Sequence, residues 1–138
     1  MRVLIDTNVV LDFLQERKPF VEDAAHLFAR IDAGEIEGFI AATTITNIYY
    51  IARKAAGAIV ARNVIIQILT DLTICMVDRA VLEQAIALNF SDFEDAVQYA
   101  CAVVYGVDAI VTRDRAGFVD AEIAVMSPSE IGAIDGKG

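Results

Sequence analysis

Histidine is nearly absent from the sequence, which contains only His26, and this restricts the chemistry open to the chain. A mechanism that uses a pair of histidines as acid and base is excluded. The chain also offers no Ser/His/Asp arrangement, no cysteine with a histidine partner and no glycine-rich phosphate loop. His26 lies beside the apolar stripe of a predicted helix, so we interpret it as a structural or surface residue.

Long apolar runs and paired cysteines are absent as well. No segment reaches the ~18 consecutive apolar residues of a membrane span, and the first strand ends in Asp6, unlike a secretory signal peptide. The two cysteines, Cys75 and Cys101, lack the spacing of metal ligands and stand in apolar surroundings. They indicate buried thiols in a reducing compartment, so we predict a cytoplasmic protein with no membrane association.

Basic residues are few, since 11 Lys and Arg stand against 20 Asp and Glu and give a formal net charge of −9. This balance argues against a broad, non-specific nucleic-acid binder. It does not exclude an enzyme that holds a phosphodiester through a metal ion and a few local cations. Arg113 and Arg115 are the candidate substrate-binding cations. An acidic surface also favours a basic partner protein.

Apolar residues, by contrast, form 57% of the 138 residues, and the mean hydropathy is +0.52. Short apolar strands alternate with helical patterns, which predicts a parallel sheet covered by helices on both faces. We therefore expect a single three-layer α/β/α domain over residues 1–134, with a central, mostly parallel sheet of four or five strands. Residues 135–138 are predicted to form a frayed tail. The many apolar residues also raise the prospect of a homodimer.

Three aspartates stand where such a fold places its ligands. Asp6 ends the first strand, Asp95 lies in the first turn of a predicted helix, and Asp114 follows an apolar strand. The carboxyl ends of parallel strands meet at one edge of the sheet, where open α/β folds bind ligands. Converging carboxylates need a counter-charge, and oxygen ligands suit Mg²⁺ or Mn²⁺. Each aspartate, taken alone, is equally typical of a turn or a helix cap.

Polar neighbours of these aspartates have two readings each. Thr7 and Thr112 either orient the carboxylates or serve as ordinary turn hydroxyls, and Asn8 either caps the first helix or braces Asp6. Ser91 and Glu94 match a Ser-x-x-Glu capping box, which favours a helix-start role for Glu94.

The ordered motifs resemble those of the PIN domain (PilT N-terminus) family over essentially the whole chain. They are Asp6-Thr7-Asn8 after the first strand, the helix start Phe93-Glu94-Asp95-Ala96-Val97-Gln98, and Val111-Thr112-Arg113-Asp114 after a later strand. The length resembles the VapC-type toxins of bacterial and archaeal toxin–antitoxin pairs. The resemblance implies an Mg²⁺- or Mn²⁺-dependent endoribonuclease that acts on RNA and is held inactive by an antitoxin.

The resemblance also implies which residues form the site, and it exposes one departure. Asp6, Asp95 and Asp114 match three of the family's metal-site acids, and they are the expected catalytic and metal-binding residues. The fourth acid is normally a glutamate, but Asn47 occupies the matching position. An asparagine offers a carbonyl oxygen without charge, so the site should hold Mg²⁺ more weakly. Asp92 is a candidate replacement, with a helix-dipole role as its alternative.

Two other functions fit parts of the sequence. A PIN-fold protein with weak or lost catalysis that binds RNA or a partner protein would also explain Asn47. A haloacid-dehalogenase-like phosphohydrolase also begins with a strand and an aspartate, but it needs a second aspartate where this chain has Asn8. It also needs a late catalytic lysine, whereas Lys137 lies in the tail, so we rank this function last.

Overall fold

Strands and helices alternate along the chain in a computed structural model that describes residues 1–118 and 121–134. The strands are β1 Arg2–Ile5, β2 Glu37–Ala41, β3 Thr73–Cys75, β4 Ala109–Val111 and β5 Ala124–Met126. The helices are α1 Thr7–Leu14, α2 Val21–Asp32, α3 Ala42–Ala56, α4 Ala58–Asp71, α5 Arg79–Ala87, α6 Phe93–Tyr105 and α7 Pro128–Ala133, with a 3₁₀ turn at Arg115–Phe118. The tail at 135–138 lies outside the described residues, so its fraying and the domain limits stay predictions.

The five strands form one parallel sheet in the order β3-β2-β1-β4-β5. The expected three-layer fold is therefore confirmed, and its sheet is parallel throughout. Strand order reverses between β1 and β4, because β2 and β3 lie on one side of β1 and β5 lies beyond β4. Open parallel sheets form a crevice outside the carboxyl ends of the strands at such a point. This crevice begins after Ile5 and Val111.

The two faces of β1 belong to two separate cores. Val3 and Ile5 pack with apolar residues of α1, α2, α3, α4 and α7. Leu4 points to the opposite face and packs with residues of α5 and α6. All three side chains are fully buried. Because side chains alternate along a strand, a continuous apolar strand needs helices on both sides of the sheet.

Both cysteines are buried in the core on the α5–α6 side of the sheet. Burial raises the pKa of Cys75 to about 12 and that of Cys101 to about 11, so both thiols stay protonated near neutral pH. Among the helices of the described ranges, none combines the length and the apolar character needed to cross a bilayer.

Three helix ends show which residues typical of helix caps occupy a cap position in the structure and which do not. α6 ends at Gly106 because this glycine adopts the left-handed conformation (φ 62°). α3 begins at Ala42 directly after β2, with Ala41 at the cap position and no side-chain cap, so neither Thr43 nor Thr44 caps this helix. α2 begins at Val21, so Pro19, a residue type common at the first position of a helix, precedes this helix.

Candidate active site at the carboxyl edge of the sheet

An open acidic cleft lies at the carboxyl edge of the sheet, with a volume of about 500 Å³. Four parts of the chain contribute to it: the start of α1, the middle of α3, the start of α6 and the segment after β4. Its lining residues are Asp6, Thr7, Asn8, Asn47, Tyr50, Ile51, Asp92, Glu94, Asp95 and Asp114. The structure thus brings together the three aspartates singled out from the sequence, and it places Thr7, Asn8, Asn47 and Asp92 beside them.

Asp6 is the most tightly held of the cleft carboxylates. It caps α1, and only 7% of the residue is exposed. Its Oδ1 accepts hydrogen bonds from the Thr7 backbone N–H (2.7 Å) and from Gln98 Nε2 (3.0 Å). Its Oδ2 accepts from the Thr112 hydroxyl at 2.7 Å. Three donors to one carboxylate fix its orientation toward the cleft.

Thr112 joins the two strand ends that flank the crevice. Its side chain is fully buried, and its Oγ1 accepts a hydrogen bond from the Asp114 backbone N–H (3.0 Å) while donating to Asp6. The segment after β4 is therefore tied to the carboxylate after β1. This contact makes Thr112 a positioning residue for both aspartates.

The start of α6 presents three acidic residues to the cleft. Asp92 caps the helix, and its Oδ1 accepts from the Asp95 backbone N–H at 3.0 Å. The predicted Ser91–Glu94 capping box is wrong because Asp92 takes the cap position. Glu94 instead accepts a hydrogen bond from the Thr7 hydroxyl at 3.2 Å and lines the cleft. The site therefore contains an acid that the sequence pattern assigned to a purely local role.

Asp95 is the carboxylate whose ionisation the cleft perturbs most clearly. Burial, and then the neighbouring charges of Asp92, Asp6, Glu94 and Asp114, raise the pKa of Asp95 to about 7. Its carboxylate rests against Gly117 in the 3₁₀ turn, where a Cβ atom would stand 2.5 Å from Asp95 Oδ2. Glycine at 117 therefore leaves the space that this carboxylate occupies.

Asn47 lies in the second turn of α3, half-buried in the cleft wall. Its position facing the aspartates follows from the direct β2–α3 connection, which sets the face that α3 turns to the crevice. At this position the cleft has a neutral amide beside five carboxylates.

Arg113 and Arg115, expected to bind substrate, are engaged elsewhere and do not line the cleft. Arg113 forms a two-pronged ion pair with Asp12, with Nε–Oδ2 at 2.6 Å and a second bond at 3.2 Å. Its guanidinium also lies over the Phe20 ring, 3.7 Å from the centroid. Arg115 pairs with Glu130 of α7. Both arginines therefore join secondary-structure elements in the present conformation.

The donor atoms of the cleft fit a hard divalent cation in type and charge. Five carboxylates, two amides and two hydroxyls line it, and none of its described lining residues is a lysine or arginine. Burial and, after it, the repulsion between these carboxylates raise the pKa of Asp95, and a bound cation would relieve the repulsion. Within residues 1–118 and 121–134, however, no three acidic, histidine or cysteine side chains already converge into a ligand set. A metal would therefore require side-chain rotation, for which the exposed Asp114 has the freedom.

A family model of the PIN domain matches residues 2–116. The chain belongs to the PIN domain family. The resemblance noted from Asp6-Thr7-Asn8, Asp95 and Asp114 is thereby confirmed.

Relatives of this PIN protein include both curated and structurally solved members. Ribonuclease VapC1 of Aquifex aeolicus (strain VF5) is 28% identical over 134 residues, covering 94% of this chain and 92% of the relative. A toxin–antitoxin complex from Klebsiella pneumoniae superposes with a TM-score of 0.69 at 21% identity, covering 91% of this chain and 97% of that chain. VapC20 of Mycobacterium tuberculosis, a sarcin–ricin loop cleaving toxin, superposes with a TM-score of 0.65 at 15% identity. This match covers 78% of this chain and 86% of that chain. At these identities the solved structures show a shared fold.

Five residues of the PIN site were missed by sequence reasoning or assigned another role. They are Glu94, Gln98, Gly117, Tyr50 and Ile51. Helical spacing could have found three of them, because Gln98 lies three residues after Asp95, and Tyr50 and Ile51 lie three and four after Asn47. No sequence signal marks Gly117, whose role depends on the 3₁₀ turn reaching Asp95.

Replacing Arg113 by leucine should lower the free energy of unfolding by about 3 kcal/mol, because it leaves a buried carboxylate without a partner. Asp12 is only 1% exposed, which makes this pair unlike a surface ion pair. Urea unfolding measures the change. The control is Arg79→Leu, which breaks an exposed pair with Glu83 and should cost about 0.5 kcal/mol or less. If Arg113→Leu keeps full stability but loses RNA binding, the sequence-based role of Arg113 was right after all.

The raised pKa of Asp95 predicts a distinct pH dependence of stability in metal-free protein. Between about pH 4 and pH 7 the folded state holds a proton on Asp95 that the unfolded chain releases. The contribution of Asp95 to the free energy of unfolding is therefore full below this window and lost as pH rises through it. Asp95→Asn should remove this fall, as measured by urea unfolding in EDTA across that range. The exposed Asp32→Asn change serves as the control, and equal pH profiles for wild type and Asp95→Asn would contradict the assignment.

Proposed function

We propose that this PIN protein is a metal-dependent endoribonuclease and the toxin component of a toxin–antitoxin pair. The observation that carries the proposal is the joint presence of Asp6, Asp95 and Asp114 in one acidic cleft at the strand-order reversal. Its relative from Aquifex aeolicus is named a ribonuclease, and the Klebsiella pneumoniae relative is part of a toxin–antitoxin complex. Both support the same assignment.

In this proposal Asp6, Asp95 and Asp114 hold Mg²⁺ or Mn²⁺, with Asn47, Asp92 and Glu94 as further oxygen donors. When bound, the ion would polarise the phosphoryl group and neutralise the charge that develops on it. Thr7, Gln98 and Thr112 keep Asp6 in one orientation, so the site loses little conformational freedom on binding. Asn8, beside Asp6 in the cleft wall, offers an amide to the same region.

Asp95 adds a pH requirement to this scheme. Its pKa of about 7 in metal-free protein means that it binds a cation only after losing a proton. Metal affinity is therefore expected to rise as pH increases through this value, and a bound cation lowers the same pKa.

The expected partner is an antitoxin that presents basic or amide side chains to the acidic cleft. The net charge of −9 and the five carboxylates of the cleft favour such complementarity. A homodimer also stays a prediction, supported by large apolar side chains exposed on the outer helices. They include Ile59, Ile66, Leu69 and Ile86.

A second candidate function is binding without catalysis, and the observation that favours it is Asn47. The cleft carries one carboxylate fewer at this position than the family pattern, and its described side chains do not yet form a closed ligand set. The protein would then act by binding RNA or a partner protein.

Incubation with a mixed RNA panel separates these two functions. We expect cleavage with Mg²⁺ or Mn²⁺, none with EDTA, and none from Asp6→Asn under any condition. This variant should still fold, because the Thr112 hydroxyl can accept a hydrogen bond from the new amide. The exposed Asp32→Asn change is the matched control and should cleave normally. Persistent cleavage in EDTA would remove the metal from the mechanism, and no cleavage by folded wild type would favour the binding function.

Replacing Asn47 by glutamate should tighten Mn²⁺ binding, because a hard dication prefers a charged oxygen ligand. Isothermal titration of Mn²⁺ measures the change against wild type. Asp92→Asn is the comparison, since the Asp92 carboxylate already accepts a hydrogen bond from the Asp95 backbone N–H and is expected to matter less. Unchanged affinity in Asn47→Glu together with weaker binding in Asp92→Asn would make Asp92 the replacement acid.

A further inference from the structure

An aromatic side chain stands exposed at the wall of the acidic cleft. Tyr50 of α3 lines the cleft, although 62% of the residue is accessible to solvent. Its ring stacks on that of Tyr49, with centroids 5.3 Å apart and an interplanar angle of 23°. Tyr49 is itself packed against the hydrophobic core. The Tyr50 ring is therefore braced on one side and open on the other.

The composition of the cleft makes this aromatic surface important for substrate binding. Five carboxylates line the cleft, and its described lining contains no lysine or arginine that could attract a phosphate. Before a cation binds, the cleft repels a polyanion. Affinity for RNA must then come from contacts that do not depend on charge or from cations outside the cleft. Stacking of a nucleobase on an aromatic ring is a contact that does not depend on charge.

Two cations that lie outside the cleft lining occur one turn further along α3. Arg53 and Lys54 lie three and four residues after Tyr50, which places them next to it on the helix surface. Both are exposed, and neither forms an ion pair with another described residue. From Asn47 through Tyr50 to Lys54, α3 thus presents an amide, an aromatic ring and a cation in a row that leads out of the cleft.

We propose that this row on α3 is a binding track for an unpaired RNA strand, in which a nucleobase stacks on Tyr50 and a nearby backbone phosphate contacts Lys54 or Arg53. The proposal rests on the proposed endoribonuclease function, since the cleft is taken as the place where the phosphodiester is cut. A base can reach the Tyr50 ring only when it is not stacked within a duplex. Unpaired RNA is therefore bound in preference to the same strand in a duplex.

Fluorescence anisotropy tests the track. The ligand is a short labelled single-stranded RNA of mixed sequence, and EDTA is present to prevent metal-dependent cleavage. Tyr50→Ala should weaken binding about tenfold or more, the effect of losing one base–aromatic stack. Tyr50→Phe should stay within about threefold of wild type, because the ring face is retained. Ile86→Ala is the matched control, since this side chain is 74% exposed on α5 and lies outside the cleft lining. Annealing the RNA to its complement should weaken wild-type binding.

Salt dependence separates the stack from the charge. Lys54→Ala should reduce the slope of log affinity against log salt concentration by about 0.7, the value for one phosphate contact on a single strand. Tyr50→Ala should lower affinity at every salt concentration and leave that slope unchanged. The proposal is overturned if wild type does not bind the RNA, if Tyr50→Ala binds as tightly as wild type, or if Tyr50→Phe fails as badly as Tyr50→Ala.

Two further outcomes distinguish this inference from the proposed function and from a protein interface. Cleavage of RNA by wild type, with Tyr50→Ala binding and cutting equally well, would overturn the track and leave the endoribonuclease function intact. Tyr50-dependent RNA binding without cleavage in Mg²⁺ or Mn²⁺ would support the track and overturn the function. If Tyr50→Ala leaves RNA binding unchanged and alters only the sedimentation coefficient of the protein, Tyr50 belongs to a contact between protein molecules and the inference is wrong.

Discussion

The carboxylate of Asp6 is buried at the junction of β1 and α1, and the architecture of the site depends on how it is held. A buried charge is costly unless hydrogen bonds compensate for the lost hydration. Here the compensation comes from three parts of the chain: the first turn of α1, Gln98 of α6 and Thr112 after β4. The same contacts that stabilise the carboxylate therefore bring the other cleft elements into position around it.

Electrostatics then limits what the cleft can be. Four further carboxylates face the Asp6 side of the cleft, and the arginines nearest in sequence to Asp114 are engaged with Asp12 and Glu130. These two arginines thus join the segment after β4 to α1 and the 3₁₀ turn to α7, and the cleft stays negative. An arrangement of this kind disfavours a bare polyanion and favours a small dication, so in the proposed function a cation binds before the RNA. The proposed binding of RNA then needs contacts outside the carboxylates, and the aromatic and basic row on α3 is suited to supply them.

The general fold and the acidic cluster could be predicted from the sequence because both follow from short-range patterns. A continuous apolar strand followed by Asp6 predicts a central parallel strand and a polar residue at its carboxyl end, and the second such strand places Asp114. The partners of Arg113 and Glu94 could not be predicted in this way. Each is set by a tertiary contact with α1, at Asp12 and at Thr7, and no spacing within one element encodes it. For the same reason the contact of Gly117 with Asp95 could not be predicted from the sequence.

Diffraction data collected at the manganese edge from crystals soaked in Mn²⁺ provide a direct test of the proposed metal binding in the acidic cleft. We predict an anomalous peak between Asp6, Asp95 and Asp114, with the Asp95 carboxylate turned away from Gly117, and loss of that peak in Asp6→Asn crystals. A peak elsewhere on the protein, or an intact site with no peak at saturating Mn²⁺, would contradict it.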